Sequence, residues 1–258
     1  MTYFHQKSKY DNFPETEVEF FELIKKYCKV IFDVGCRDDI DYLKNSFDES
    51  REFHLFDPDV NFITNIENQI SNLPDTDDIE NVVYLNAYGL GKESGVLKYY
   101  ENTQSFVFRK NSGHALSQDN GTEYEIKTLD EYCVENSINE IDFLKVDIEG
   151  MEYEFFQGGE NTLKNNTKII QFEFASTMID QGVDPDELVG WFDSDTFNLY
   201  LQRVDPRHPY YSENKKMITE LDETVYETIK SEMILGSGCN LIAIRKDFIS
   251  DEFANDCF

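Results

Sequence analysis

Five short clusters carry the residue types that chemistry needs: Asp33-Val34-Gly35, Asp57-Pro58, Asn86-Ala87, Asp147-Ile148-Glu149 and Glu173. Each lies at or just beyond the end of an apolar run. An acid in the position of Asp57 suits a ribose diol, because two hydroxyls can donate to one carboxylate. A nicotinamide or flavin dinucleotide would use the same acid, but it also needs three loop glycines so that its pyrophosphate can approach backbone. The loop here reads Gly35-Cys36-Arg37-Asp38-Asp39, with one glycine and two additional negative charges. Such a loop repels a pyrophosphate. A nucleoside that lacks phosphate and carries positive charge fits it better, and S-adenosylmethionine is that ligand: adenine, ribose, sulfonium, ammonium and one carboxylate. The plainer use of Asp33 and Asp57 is to cap the adjacent loops.

These clusters work together only on a scaffold that gathers strand ends, as an open parallel sheet does when it binds ligands beyond its carboxyl edge. The chain has the rhythm for one. Lys29–Val34, Glu52–Asp57, Asn81–Asn86, Ile141–Asp147 and Lys168–Phe174 read as buried strands. Phe197–Arg203 and Cys239–Arg245 follow, with the last two strands expected antiparallel. Helical spacing covers Asn61–Ile70, Leu129–Glu135, a segment through Phe156, and part of Lys215–Met233. Asp184–Phe192 is also expected helical, with Pro185 in its first turn. The reading is one α/β domain over 1–258, with a helical lead-in at 1–29 and an inserted β-region at 92–127. Segment 204–238 serves as a lid or an oligomerisation segment. Within the inserted region, Gly95–Tyr100, Ser105–Phe108 and Glu123–Lys127 are strand candidates around the turn-rich loop 111–121.

Asp33-Val-Gly, Phe56-Asp-Pro-Asp, Thr128-Leu-Asp-Glu-Tyr and Ile141-Asp-Phe-Leu-Lys-Val-Asp-Ile-Glu-Gly-Met-Glu occur in that order. In this combination the chain resembles the FkbM-type methyltransferases over residues 28–175. Asn240-Leu-Ile-Ala-Ile is consistent with the final strand. The resemblance implies a Rossmann-like class I methyltransferase fold, a seven-stranded, mostly parallel sheet with its last strand antiparallel and helices on both faces. It also implies S-adenosylmethionine as cofactor and methyl transfer to a hydroxyl of a sugar or another small molecule. Carried onto this chain, Asp33 and Gly35 would line the methionine end, Asp57 would hold the ribose, and Asn86 and Ala87 would edge the adenine. Asp147 would sit near the sulfonium and the acceptor. The chain departs from the family pattern at Arg37, where a small residue or Asn is usual, and at Asp39, where glycine is usual. Arg37 could pair with the cofactor's carboxylate, whereas Asp39 brings a Cβ and a charge toward the ligand.

Transfer to a hydroxyl also requires a proton acceptor. Asp147 is best placed for it, with Glu149 and Glu173 as neighbours. Glu149 has the alternative task of capping the next helix. His114, in a loop expected to overhang the cleft, is the further catalytic candidate. His208 is a weaker one, His54 reads as a core or interface residue, and His5 lies in the terminal segment. Asp147 and Glu173 resemble a two-carboxylate metal pair, but no further ligands stand at a recognisable spacing, so no metal is expected. Tyr210 and Tyr211, with Trp191 and Phe192 upstream, suit packing better than stacking on an acceptor.

A formal charge of −29, from 23 Lys+Arg against 52 Asp+Glu, disfavours nucleic acid and anionic membranes as partners. The partner that the resemblance implies is a small-molecule or carbohydrate acceptor. The N-terminus and the C-terminal excursion are the segments a homo-oligomer would use. Five cysteines without a CxxC pair, no signal-like segment and no long apolar run predict a cytoplasmic protein. Asp33, Asp38, Asp39, Asp57, Asp147, Glu149 and Glu173 should surround one cleft, where a negative field favours a cationic cofactor. The alternative reading is a non-catalytic module that keeps the fold and serves as a partner-binding or scaffold protein, motivated by Asp39 and segment 204–238.

Overall fold

The structure is a computed structural model that describes residues 16–73, 81–99, 121–202, 218–234 and 238–257. The chain opens with α1 (Thr16–Ile24), β1 (Val30–Val34), α2 (Asp41–Lys44), β2 (Glu52–Phe56), α3 (Val60–Ile70) and β3 (Val82–Asn86). The inserted region holds β4 (Gly89–Leu90), β5 (Gly95–Tyr99) and β6 (Thr122–Lys127). Then come α4 (Leu129–Glu135), β7 (Ile141–Val146), α5 (Glu152–Gly158), α6 (Glu160–Asn166) and β8 (Thr167–Ala175). The last part comprises α7 (Ser176–Gln181), α8 (Pro185–Trp191), β9 (Phe197–Gln202), β10 (Ile218–Glu220), α9 (Glu223–Ile234), β11 (Gly238–Arg245) and α10 (Asp251–Cys257).

The main sheet has the order β10-β9-β11-β8-β7-β1-β2-β3. Strands β3, β2, β1, β7 and β8 pair in parallel, and β11 runs antiparallel to both β8 and β9. The mostly parallel sheet with a reversed final strand is the architecture expected of a class I methyltransferase. Eight strands are described in it where seven were expected. The eighth, β10, lies in the segment read as helical from Lys215, and helix begins only at Glu223. Strand β10 pairs with the free edge of β9 and buries Ile218, which covers backbone groups that would otherwise be left at an edge. In the second, smaller sheet β6 pairs in parallel with β4 and antiparallel with β5. The Ser105–Phe108 strand candidate lies outside the described residues.

Helices cover both faces because the central strands are apolar on both. Phe32, Val34, Leu144, Val146 and Phe172 pack on one side with Phe155, Phe156, Leu163 and Leu188. On the other side Ile31, Phe53, Phe143, Ile169 and Ile242 pack with Phe20, Phe21, Ile24 and Phe253. The lead-in helix α1 is thus part of the core. Its Phe21 ring lies 5.4 Å from that of Phe143 and 5.0 Å from that of Tyr42.

Local signals set the helix starts. Thr128 Oγ1 accepts from Glu131 N at 3.1 Å, while the Glu131 carboxylate reaches back to Thr128 N, a capping box at α4. Asp184 caps α8 by accepting from Asp186 N at 2.9 Å, with Pro185 in the first turn as anticipated. No helix among the described residues is long and apolar enough to cross a membrane.

Candidate active site at the β1–β7 switch point

After β1 the chain builds outward through β2 and β3, then returns on the other side of β1 as β7. Strand order reverses there, which opens a crevice at the carboxyl ends of β1 and β7. Gly35 makes the crevice possible. Its φ is +85°, and a Cβ on it would stand 1.8 Å from the Asp147 carbonyl oxygen. Only glycine lets the β1 loop pass the β7 loop so closely. Gly35 N and Cys36 N then both donate to Phe56 O, at 2.9 and 3.2 Å, which fastens the turn to β2.

Asp57 holds the same turn from beyond β2. Its Oδ2 accepts from Arg37 N at 3.0 Å and its Oδ1 from Asp59 N at 2.8 Å. Arg37 has φ +52°, so this hydrogen bond supports a left-handed residue that is not glycine. The capping use of Asp57 is therefore real. Each carboxylate oxygen accepts one backbone N–H and keeps further acceptor capacity, so capping and ribose binding are compatible. Burial pushes the Asp57 carboxyl up to about 6, against the lowering effect of the two backbone donors.

Asp33 and Asp147 flank the crevice from β1 and β7, and a cation lies between them. The β1–β7 register sets Asp33 beside Lys145, and period-two alternation puts Lys145 and Asp147 on one face. Lys145 Nζ is 3.7 Å from Asp33 Oδ1 and 3.6 Å from Asp147 Oδ2. Asp33 is buried, whereas the Asp147 side chain is 38% exposed and so available at the mouth. The expected all-carboxylate cleft thus has a lysine in its floor. Sequence reasoning passed over Lys145, although a lysine inside the apolar run Ile141–Val146 was a usable signal. Gln171, next to Lys145 in β8, is 1% exposed, and both its amide atoms lack a hydrogen-bond partner. Glu173 follows two residues on, half-buried on the same face.

The turn beyond Asp147 is held by a residue that the motif reading did not select. Glu152 is fully buried, and its Oε1 accepts from Ile148 N at 3.0 Å and from Gly150 N at 3.3 Å. Glu149, at φ +57°, and Gly150, at φ +104°, form the left-handed turn between them. Glu152, the first residue of α5, thus braces this turn by folding back over it, and α5 has no side-chain N-cap. Burial, reinforced by the Asp147 charge, pushes the Glu152 carboxyl up to about 8.

The other expected positions divide plainly. Asn86 Nδ2 donates to Leu55 O at 3.1 Å and its Oδ1 accepts from Tyr88 at 3.1 Å, so it braces the β2–β3 edge, while Ala87 is exposed on the rim. Arg37 is exposed, its guanidinium 5.8 Å from the centre of the Phe62 ring. Asp39 has no positive φ and its Oδ1 accepts from Asp41 N at 2.7 Å, so this loop needs no glycine there. The departure that motivated a non-catalytic reading is a helix-start contact. His54 is a core residue, stacked between Phe32 and Tyr84 and bonded to Tyr132 and Glu52. Trp191 and Phe192 pack around Phe156, as expected of core aromatics. His114, His208, Tyr210 and Tyr211 lie outside the described residues. No group of three or more His, Cys, Asp or Glu among the described residues is arranged to hold a metal ion.

Comparison with known proteins places this geometry in context. Residues 33–205 match the family model for the methyltransferase FkbM domain. Among solved structures the chain is similar to methyltransferase FkbM from Methylobacillus flagellatus KT, with 13% identity and a TM-score of 0.42. The match covers 69% of this chain and 41% of that one, so this chain spans less than half of that relative's length. A candidate methyltransferase from Streptococcus mutans, solved in complex with SAH, matches at 6% identity and a TM-score of 0.45, covering 90% of this chain and 99% of its own. The tRNA (m1A58) methyltransferase TrmI from Aquifex aeolicus matches at 12% identity and 0.41, covering 89% and 68%. A search of curated proteins finds no match.

Proposed function

This chain belongs to the FkbM family of S-adenosylmethionine-dependent methyltransferases, and from that premise we propose that it O-methylates a hydroxyl on a sugar or other small-molecule acceptor. The observation that carries the reading is the Asp57 carboxylate, buried at the end of β2, joined to the Gly35 turn by Arg37 N and to its own loop by Asp59 N, with acceptor capacity left over. A ribose diol uses that capacity. Asp33 and Gly35 would line the methionine end, with exposed Arg37 within reach of a carboxylate, and Asn86 and Ala87 would edge the adenine.

When bound, the cofactor supplies a methyl carbon already activated by its sulfonium. The chain's own residues must then align an acceptor oxygen with that carbon and take up its proton. Asp147 is the proton acceptor in this reading: it is at the mouth of the crevice, with Lys145 Nζ 3.6 Å from its Oδ2. Glu149 and His114 are the further candidates for that proton. Segments 92–127 and 204–238 would shape the acceptor side, and the charge of −29 supports a neutral acceptor over a nucleic acid.

Calorimetric titration of the purified protein with S-adenosylmethionine and S-adenosylhomocysteine tests the proposal. Micromolar binding is expected, and no binding at high micromolar cofactor would sink it. Asp57→Ala should weaken binding at least tenfold, about the worth of hydrogen bonds to a charged group. In the wild type, affinity should rise as pH passes upward through about 6, where Asp57 ionises and becomes the better diol acceptor. An affinity that is flat between pH 5 and 7 would remove Asp57 from the ribose site.

A further inference from the structure

Three charges stand in a row across the switch point. Asp33 on β1 and Asp147 beyond β7 both face Lys145, at 3.7 and 3.6 Å. Lys145 is mostly buried, and its neighbour on the other strand, Gln171, is neutral. Arg37 is exposed at the rim, its guanidinium 5.8 Å from the centre of the Phe62 ring, and is not part of this row. The row of Asp33 and Asp147 alone would carry two negative charges. With Lys145 it carries one.

That difference matters for methyl transfer in particular. The methyl carbon's bond to sulfur breaks, its bond to the acceptor oxygen forms, the bonding pair stays on sulfur, and the acceptor's proton goes to a carboxylate. Positive charge on sulfur is therefore lost on the way to product. Carboxylates that grip the cation tightly stabilise the reactant more than the transition state, which slows the step. We propose that Lys145 sets how strongly this crevice prefers the cationic cofactor over its neutral product, by cancelling one of the two carboxylate charges that flank the switch point. The inference rests on the cofactor placement given under the proposed function and adds a residue to it. Lys145 is a specificity-determining residue in this account, acting through charge.

The readout is the ratio of affinities for S-adenosylmethionine and S-adenosylhomocysteine, measured by calorimetry on the same preparation. The two ligands differ by one methyl and one charge, so a general loosening of the site cancels in the ratio. Charge counting orders the variants. Lys145→Met leaves two negative charges and should raise the ratio roughly tenfold, as expected for a unit charge a few ångströms away in a partly screened site. Asp33→Asn leaves the row neutral and should lower it by a similar factor. The double variant D33N/K145M restores a single negative charge and should return to within about twofold of wild type, as should the conservative Lys145→Arg. If K145M fails to fold with its carboxylate stranded, D33N and the double variant still decide the matter. A ratio that stays within about twofold of wild type in all the variants that fold, K145M or D33N among them, overturns the role of Lys145 while leaving the functional reading intact. A wild-type protein that binds neither ligand overturns the functional reading itself.

Discussion

The two walls of the crevice are built by different physics. On the β1–β2–β3 side, polar side chains hold backbone: Asp57 accepts from Arg37 N and Asp59 N, and Asn86 donates to Leu55 O. On the β7–β8 side, side chains answer side chains, with Lys145 between Asp33 and Asp147, and Gln171 alongside with its amide unmatched. Backbone donors sit at fixed positions, so the first wall is rigid and suited to a ligand part that never changes, such as a ribose. Charges at the ends of flexible side chains can adjust as charge moves, which would suit the wall where a reaction occurs. Under the proposed cofactor placement, the invariant and the reacting parts of one ligand would be handled by different kinds of contact.

Breaking the seam between the walls should have the largest effect. Gly35→Ala forces a Cβ into the Asp147 carbonyl at a φ that disfavours any side chain. It should cost at least about 3 kcal/mol in urea unfolding and abolish cofactor binding. Wild-type stability in G35A would mean that the walls do not meet as described.

A smaller effect separates the walls by pH. Glu152 braces the β7 wall with a carboxyl held at about 8, above its unfolded value, so the folded state binds the extra proton. Its stabilising share is complete at low pH and is lost as pH rises from the ordinary carboxylate range through 8. Glu152→Gln keeps an acceptor for Ile148 N and Gly150 N but cannot ionise. Wild type should therefore lose on the order of 1 to 5 kcal/mol relative to E152Q between pH 5 and 8.5. Parallel unfolding curves at the two pH values would show that Glu152 does not titrate in that window.

The smallest expected effect concerns Gln171. Its amide is buried without partners, a cost that an apolar side chain of similar shape does not carry. Gln171→Met should leave stability unchanged or raise it by about 1 kcal/mol, read as a higher melting temperature. A clear loss would mean that the amide is satisfied in solution and that the β8 side of this wall is better matched than its contacts show.

Much of this wall-by-wall account was legible in the residues themselves. Apolar runs ending in Asp33, Asp57, Asn86 and Asp147 located the carboxyl edge, and Pro185 marked the first turn of its helix. Lys145 was passed over, although alternation sets it on the face of Asp147. What could not be read is what each side chain meets. Glu149 and Glu152 are equally acidic and three residues apart, yet only the turn geometry selects Glu152 as the acceptor for Ile148 N and Gly150 N. Asp39 looked hostile to the loop because glycine is usual there. Its backbone needs no glycine, because the left-handed residues of that loop are Gly35 and Arg37. Strand β10 was read as helix because three residues carry too little periodicity to compete with their neighbours, and the open edge of β9 decided their state.

The sequence by itself determined the strand-and-helix order, the membership of the family and the identity of the acids at the strand ends, because those follow from short-range periodicity and motif spacing. Tertiary structure alone decided that residue 33 stands beside residue 145, since strand register joins segments more than a hundred residues apart. The strongly acidic composition predicted a negative cleft. Packing placed one lysine in its floor, and at a distance of a few ångströms one charge outweighs many that are spread over a solvated surface.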